Sequence, residues 1–186
     1  NCRGDAFPSK MLAGVGVMFY VLLALRRKLR ERMEAPAADA DLSTLLDLVA
    51  VGTVADLVPL DVNNRALVGA GLRRLRAGQG CAGLRALIEV SGRDPAKLTA
   101  ADIGFAIAPR LNAAGRLEDM AIGIECLLTD DATQAAELAN ILHGINAERR
   151  GVQQQMTDEA ESALARIGHD VEGQVPIALC LFDPEW

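Results

Sequence analysis

From Ala132 to Ile167 the chain contains no proline, and its apolar residues Leu138, Ile141, Leu142, Ile145, Val152, Met156, Leu164 and Ile167 recur at helical spacing. A helix of that length exceeds an ordinary globular element. A long, mostly polar helix ahead of a new apolar segment has the character of a rigid connector between two domains. The pattern divides the chain into residues 1–131, a connector over 132–170, and residues 171–186, the truncated start of a second domain. Within that last part, 175–182 has the pattern of a strand. A strand needs partners for its backbone groups, so 175–182 is expected to pair with chain not present here, or with a second copy through its exposed edge.

Ahead of the connector the pattern is also helical. Helices are expected over Met11 to about Met33, Ser43–Val51, roughly 64–77, 81–91, 100–108 and Met120–Leu128. Ser9 is the expected cap of the first, Ser43 or Thr44 of the second and Thr99 of the fifth. Gly78 and Gly92 are the expected stops of the third and fourth. The first half of the first helix is apolar all round and is expected to be buried. Pro109–Gly115 is expected to break the helical pattern. Aromatic residues are only 3% of a chain that is 51% hydrophobic, which favours helices packed on helices. The fold class is therefore mostly α.

The bulk properties exclude some functions. A net charge of −6 argues against a broad electrostatic grip on nucleic acid, though not against a local basic groove. Cysteines at 2, 81, 126 and 180 form no metal or redox spacing, which fits a reduced, cytoplasmic setting. Leu12–Leu25 is apolar but too short to span a bilayer and is followed at once by Arg26, Arg27 and Lys28, so no membrane association is expected. With only His143 and His169, a zinc site within the chain is not expected, and His143 is read as an exposed residue of the long helix.

Two segments carry candidate chemistry. The run Gly52-Thr53-Val54-Ala55-Asp56 ends an apolar stretch in a lone carboxylate. A carboxylate is rarely buried without a partner. Asp56 is therefore either a helix or turn cap, or one ligand of a hard divalent ion such as magnesium or manganese. One Asp cannot make such a site alone. In Pro109–Arg116, Arg110 and Arg116 flank Asn112 and the small residues Ala113, Ala114 and Gly115. Small residues let a phosphate approach the backbone and arginine forks bind its oxygens. The same segment also reads as a helix break with solvated arginines. The cluster Arg65, Arg73, Arg74, Arg76 and Arg85 is read as a solvated helix face.

Phe7-Pro8-Ser9-Lys10 with Leu12–Val17, Val51–Leu60, Asn63-Asn64-Arg65, Gly104-Phe105 with Pro109–Leu117, and Leu181–Trp186 together resemble, in order and across the whole chain, the RecJ family of single-strand-specific DNA exonucleases in the DHH phosphoesterase superfamily. The resemblance implies a 5′-to-3′ exonuclease that hydrolyses single-stranded DNA with Mn2+ or Mg2+, in DNA repair and recombination, with other repair proteins as further partners. It implies that Asp56 is a catalytic, metal-ligating residue and that Arg110, Asn112 and Arg116 contact nucleic acid. It places 1–131 in the helical part of an α/β DHH-type catalytic domain and 171–186 at the start of the DHH-associated domain. No Asp-His-His triplet occurs here, and the glycine- and histidine-rich motif of the second domain is absent as well. The chain thus corresponds to the middle of such a protein and is expected to be inactive alone. Two alternatives remain at this level: a non-catalytic helical module binding nucleic acid or protein, and another DHH phosphoesterase acting on short oligonucleotides or cyclic dinucleotides.

Overall fold

A computed structural model of the chain describes residues 4, 6–32, 39–117, 119–168 and 182. Among these residues the structure is helical. In order, α1 is Gly14–Glu31, α2 is Leu46–Ala55, α3 is Val62–Arg76, α4 is Ala82–Val90, α5 is Ala100–Asp102, α6 is Ala108–Leu117, α7 is Ala121–Leu128 and α8 is Ala132–Gly168. Short 3-10 turns at Leu42–Leu45 and Pro95–Lys97 precede α2 and α5, and a π-turn at Ile103–Ile107 joins α5 to α6 without a break. The strand expected at 175–182 lies outside the described residues apart from Phe182, as do Cys2, His169, Cys180 and Trp186.

Local chemistry sets most helix ends. The Asp61 carboxylate accepts from the amide of Asn64 at 2.8 Å and starts α3. Thr99 and Asp102 form a reciprocal capping box at α5, with Thr99 N–H donating to Asp102 Oδ2 at 2.9 Å and Asp102 N–H to Thr99 Oγ at 3.2 Å. Asp131 Oδ1 accepts from Thr133 at 2.7 Å at the head of α8. Gly78 and Gly92 follow α3 and α4 in the left-handed region, φ 70° and 69°, where a Cβ is disfavoured.

Four expectations change. Ser9 is not the cap of α1: the helix begins after Ala13, and the Ser9 hydroxyl donates to Asp61 Oδ2 at 2.6 Å, a long-range tie. The cap ahead of α2 is Asp41, which accepts from Ser43 N–H at 3.0 Å. The first half of α1 is not buried all round, because Met18 and Val21 are more than half exposed while Phe19 and Gly16 face inward. Pro109 does not break the helix. Its ring would clash with the carbonyl four residues back in a regular α-helix, and the π-turn widens the helix just before it.

The main core joins α2, α3, α4, α6, α7 and the docked half of α8 through Val51, Val68, Leu72, Leu84, Leu87, Ile107, Ala114, Cys126 and Leu142. A smaller cluster of Phe19, Val49 and Leu67 fixes α1. Helix packing depends on missing side chains: a Cβ at Gly71 would strike the Leu46 carbonyl and Ala50, and one at Gly52 would lie 2.7 Å from Val15 Cγ1. The long helix behaves in two parts. Ala135, Ala139, Leu142, Ile145 and Asn146 are buried, whereas beyond residue 150 nearly every described side chain is exposed.

Among the described residues the buried carboxylate is Asp47, 1% exposed. Its oxygens accept from the amides of Leu48 at 2.8 Å and Cys81 at 2.7 Å, the latter at the N-terminus of α4, where the helix dipole favours negative charge. Removing that acceptor orphans the Cys81 amide. Asp47→Ala is therefore expected to cost about 1–3 kcal/mol, seen as a lower urea midpoint with an unchanged m-value.

Candidate functional site

The Asp56 segment is built by clamping a loop. α2 ends at Ala55, and the amide of Asp56 donates to the Gly52 carbonyl at 3.0 Å. The carboxylate itself is exposed and has no hydrogen-bond or ion-pair partner among the described residues. Asp56 is the C-terminal cap residue of α2 through its backbone amide, but its carboxylate caps nothing: it sits at the negative end of the dipole and cannot donate to the free carbonyls there. Leu57 follows with φ 54° and 87% exposure, a left-handed conformation that a branched side chain disfavours.

The loop after it is held from three sides. Asn64 Nδ2 donates to the carbonyls of Pro59 at 2.9 Å and Met11 at 2.7 Å. Asp61 is gripped by the Asn64 amide and by Ser9, and these hydrogen bonds hold its carboxyl below the ordinary value. Tyr20 donates to Asn63 Oδ1 at 2.6 Å and stacks edge-on with Phe7, ring centroids 4.9 Å apart. The Phe7–Ser9 and Asn63–Asn64 motifs are therefore structural supports of the loop that follows Asp56.

The Pro109–Arg116 segment is helical, not a turn. Ala113 and Ala114 are fully buried, and a Cβ at Gly115 would lie 2.5 Å from Met120 Cε. Those small residues serve packing in a helix here rather than forming an open turn. The structure also separates the candidates. Arg110 is buried, 7% exposed. Asn112, two residues on and so on a different face, is exposed. The side chain of Arg116 lies outside the described residues.

Arg110 has an unusual environment. Its Nη1 donates to the Ala106 carbonyl, and its Nε and Nη2 lie 3.3 and 3.1 Å from Nδ1 of His143 on α8. It has no carboxylate partner among the described residues. Burial, with Arg150 and Arg93 nearby, pushes its pKa down from the ordinary arginine value. His143 is half-buried rather than exposed as expected. The only signal of this in the sequence is indirect: His143 sits between Leu142 and Ile145 at the edge of the buried stripe.

Other chemistry is limited. Among the described residues no three His, Cys, Asp or Glu side chains gather as a metal site. Cys81 and Cys126 are free thiols, both pushed up by burial, Cys126 to about 11, which leaves little thiolate for nucleophilic work. No helix among the described residues is long and apolar enough to cross a membrane.

The exposed left-handed leucine beside Asp56 yields a prediction. Leu57→Gly relieves the conformation and loses almost no buried surface, so the unfolding midpoint is expected to rise, by about 1 kcal/mol in free energy. An unchanged or lower midpoint would contradict the backbone described here.

No family model matches the chain. Over its whole length it is 51% identical to the single-stranded-DNA-specific exonuclease RecJ of Dickeya dadantii and 49% identical to that of Escherichia coli, covering 33% of each. Its structure resembles crystal structures of Thermus thermophilus RecJ in complex with Mg2+ and with Mn2+, each with a TM-score of 0.69 and 39% identity. Those similarities cover 83% of this chain and 23% and 22% of the respective solved chains. The chain spans about a third of the length of the curated relatives it matches. With identity of this level along its entire length and the same helical architecture in solved members, the chain belongs to the RecJ family.

Proposed function

We propose that the longer protein of which this chain corresponds to a third is a metal-dependent exonuclease degrading single-stranded DNA from its 5′ end, in DNA repair and recombination. The observation that carries this reading is Asp56: an exposed carboxylate, unpartnered among the described residues, at the wrong end of a helix for capping, on a clamped loop. Its donor type fits a hard divalent ion, and relatives of this family are solved with Mg2+ and Mn2+. Asp56 would be one ligand, with the others outside the described residues. When bound, such an ion lowers the pKa of a coordinated water and stabilises charge on phosphate oxygens.

The chain's own residues do the rest. The Asn64 clamp holds the backbone after Asp56 in place, and Ser9 and Asn63 brace it. Arg110 offers a buried positive charge with no carboxylate partner among the described residues, a costly arrangement that a strand phosphate relieves. Exposed Asn112 and, by its motif, Arg116 are assigned further contacts to the strand. Exposed Leu57, Leu60 and Val62 around Asp56 support a surface covered by further chain of the catalytic domain, of which 1–131 is the helical part. The projecting half of α8 supports the reading of 132–170 as the connector to a DHH-associated domain beginning at 171–186. Free thiols at Cys81 and Cys126 support a reduced, cytoplasmic setting.

The test uses 5′-labelled single-stranded DNA with manganese. In a full-length chain, Asp56→Asn is expected to lower nucleotide release by more than about a hundredfold, beyond the loss typical of an outer-sphere partner. Residues 1–186 alone are expected to release none. Undiminished activity of Asp56→Asn would remove Asp56 from the site, and activity of 1–186 alone would sink the partial-site reading.

A further inference from the structure

We infer that His143, on α8, is a positioning residue: a neutral imidazole that orients the Arg110 guanidinium without neutralising it. The inference rests on the reading above that Arg110 takes a strand phosphate. An arginine fork carries donors only and stays protonated. The atom facing both its Nε and Nη2 must therefore accept, so Nδ1 of His143 bears the lone pair and the ring proton sits on Nε2. A doubly protonated ring would set N–H against N–H.

The contacts fix the plane of the fork. Two donors converge on one nitrogen from α8, and a third goes to the Ala106 carbonyl of the preceding turn. Two of the fork's five N–H groups are left for a ligand. Leu142 and Ile145 are buried on either side of His143, which fixes the backbone from which the imidazole reaches Arg110.

The choice of acceptor matters. A carboxylate at position 143 would orient Arg110 equally well but would cancel its charge and repel a phosphate. Imidazole supplies the lone pair and keeps the positive charge available. Arg93 and Arg150 add positive potential at the same point, although Arg93 is partly engaged by Asp102 at 3.4 Å. The cluster is cationic with a neutral pivot.

The experiment measures KM and kcat of a full-length chain on single-stranded oligothymidylate with manganese. His143→Ala is expected to raise KM about tenfold with kcat within about twofold, the loss of one oriented charge-assisted contact. His143→Gln, whose carboxamide oxygen can accept from the fork, is expected to stay within about twofold of the parent in both. His143→Ala added to Arg110→Ala is expected to make KM no worse than Arg110→Ala alone. Additive effects in the double variant, or a glutamine variant as impaired as alanine, would overturn the positioning role. So would an unchanged KM in His143→Ala where Arg110→Ala raises it. An unchanged KM in Arg110→Ala overturns instead the phosphate assignment on which the inference stands. Where His143→Ala fails to fold, the glutamine variant decides: near-parent KM upholds the role and a tenfold rise rejects it.

Discussion

The carboxamide of Asn64 is fully buried, and its nitrogen bridges the carbonyls of Met11 and Pro59. Those carbonyls belong to irregular backbone, which has no ladder or helix to satisfy it and must find other donors when buried. One side chain thereby joins the entry to α1, the loop after α2 and the first turn of α3. Asp61 repeats the logic in reverse, accepting from both Ser9 and the Asn64 amide. The direction of the chain leaving Asp56 is set by these bonds, because Leu57 and Leu60 are too exposed to anchor it by packing. The family's short polar motifs at Phe7–Ser9 and Asn63–Asn64 thus have a common physical purpose, although they are far apart in sequence.

The end of α2 breaks local rules three times in succession. Asp56 stands at the negative end of the helix dipole, Leu57 adopts a left-handed backbone conformation, and its side chain is turned to solvent. Each choice is locally unfavourable. A few residues earlier the same helix is ordered by burial: Val49, Ala50, Val51 and Thr53 are all enclosed, and Gly52 admits Val15. Such an abrupt change from consistent packing to local conflict is the pattern expected where position is kept for a ligand rather than for stability.

Much of the helical layout was legible because it rests on local signals. Thr99, Asp131, Gly78 and Gly92 mark helix ends by chemistry confined to a few residues, and the apolar period of α8 gives its length. What was not legible depends on distance. Ser9 resembles a cap until its hydroxyl is seen to reach Asp61, 52 residues away. Asp47 looks like an ordinary first-turn acid, and its burial becomes intelligible only with the Cys81 amide beside it. Pro109 signals a break in any reading of local propensity, and the π-turn that accommodates it carries no sequence signature of its own. Asp56 was recognisable by motif, whereas Asp47, the buried acid inside the same apolar run, carried no such signal. The small residues after Arg110 were legible as small but not as core, since their partners lie on other helices.

The acidic character of the whole chain and its proposed handling of a polyanion are compatible on physical grounds. A net charge of −6 spread over an exposed surface is screened within about 10 Å at ordinary ionic strength. A charge held in a buried setting is screened far less and acts more strongly on a ligand that enters it. Arg110 is such a charge, and Arg93 and Arg150 reinforce it. The surface then discourages indiscriminate binding of nucleic acid, while attraction is confined to a point where the fork has a fixed plane. That arrangement requires an acceptor which holds the arginine still and leaves its charge intact, and among uncharged side chains a neutral imidazole supplies this with one lone pair. On the proposed function, the acid balance that seemed to argue against nucleic acid would instead concentrate recognition at the junction of α6 and α8.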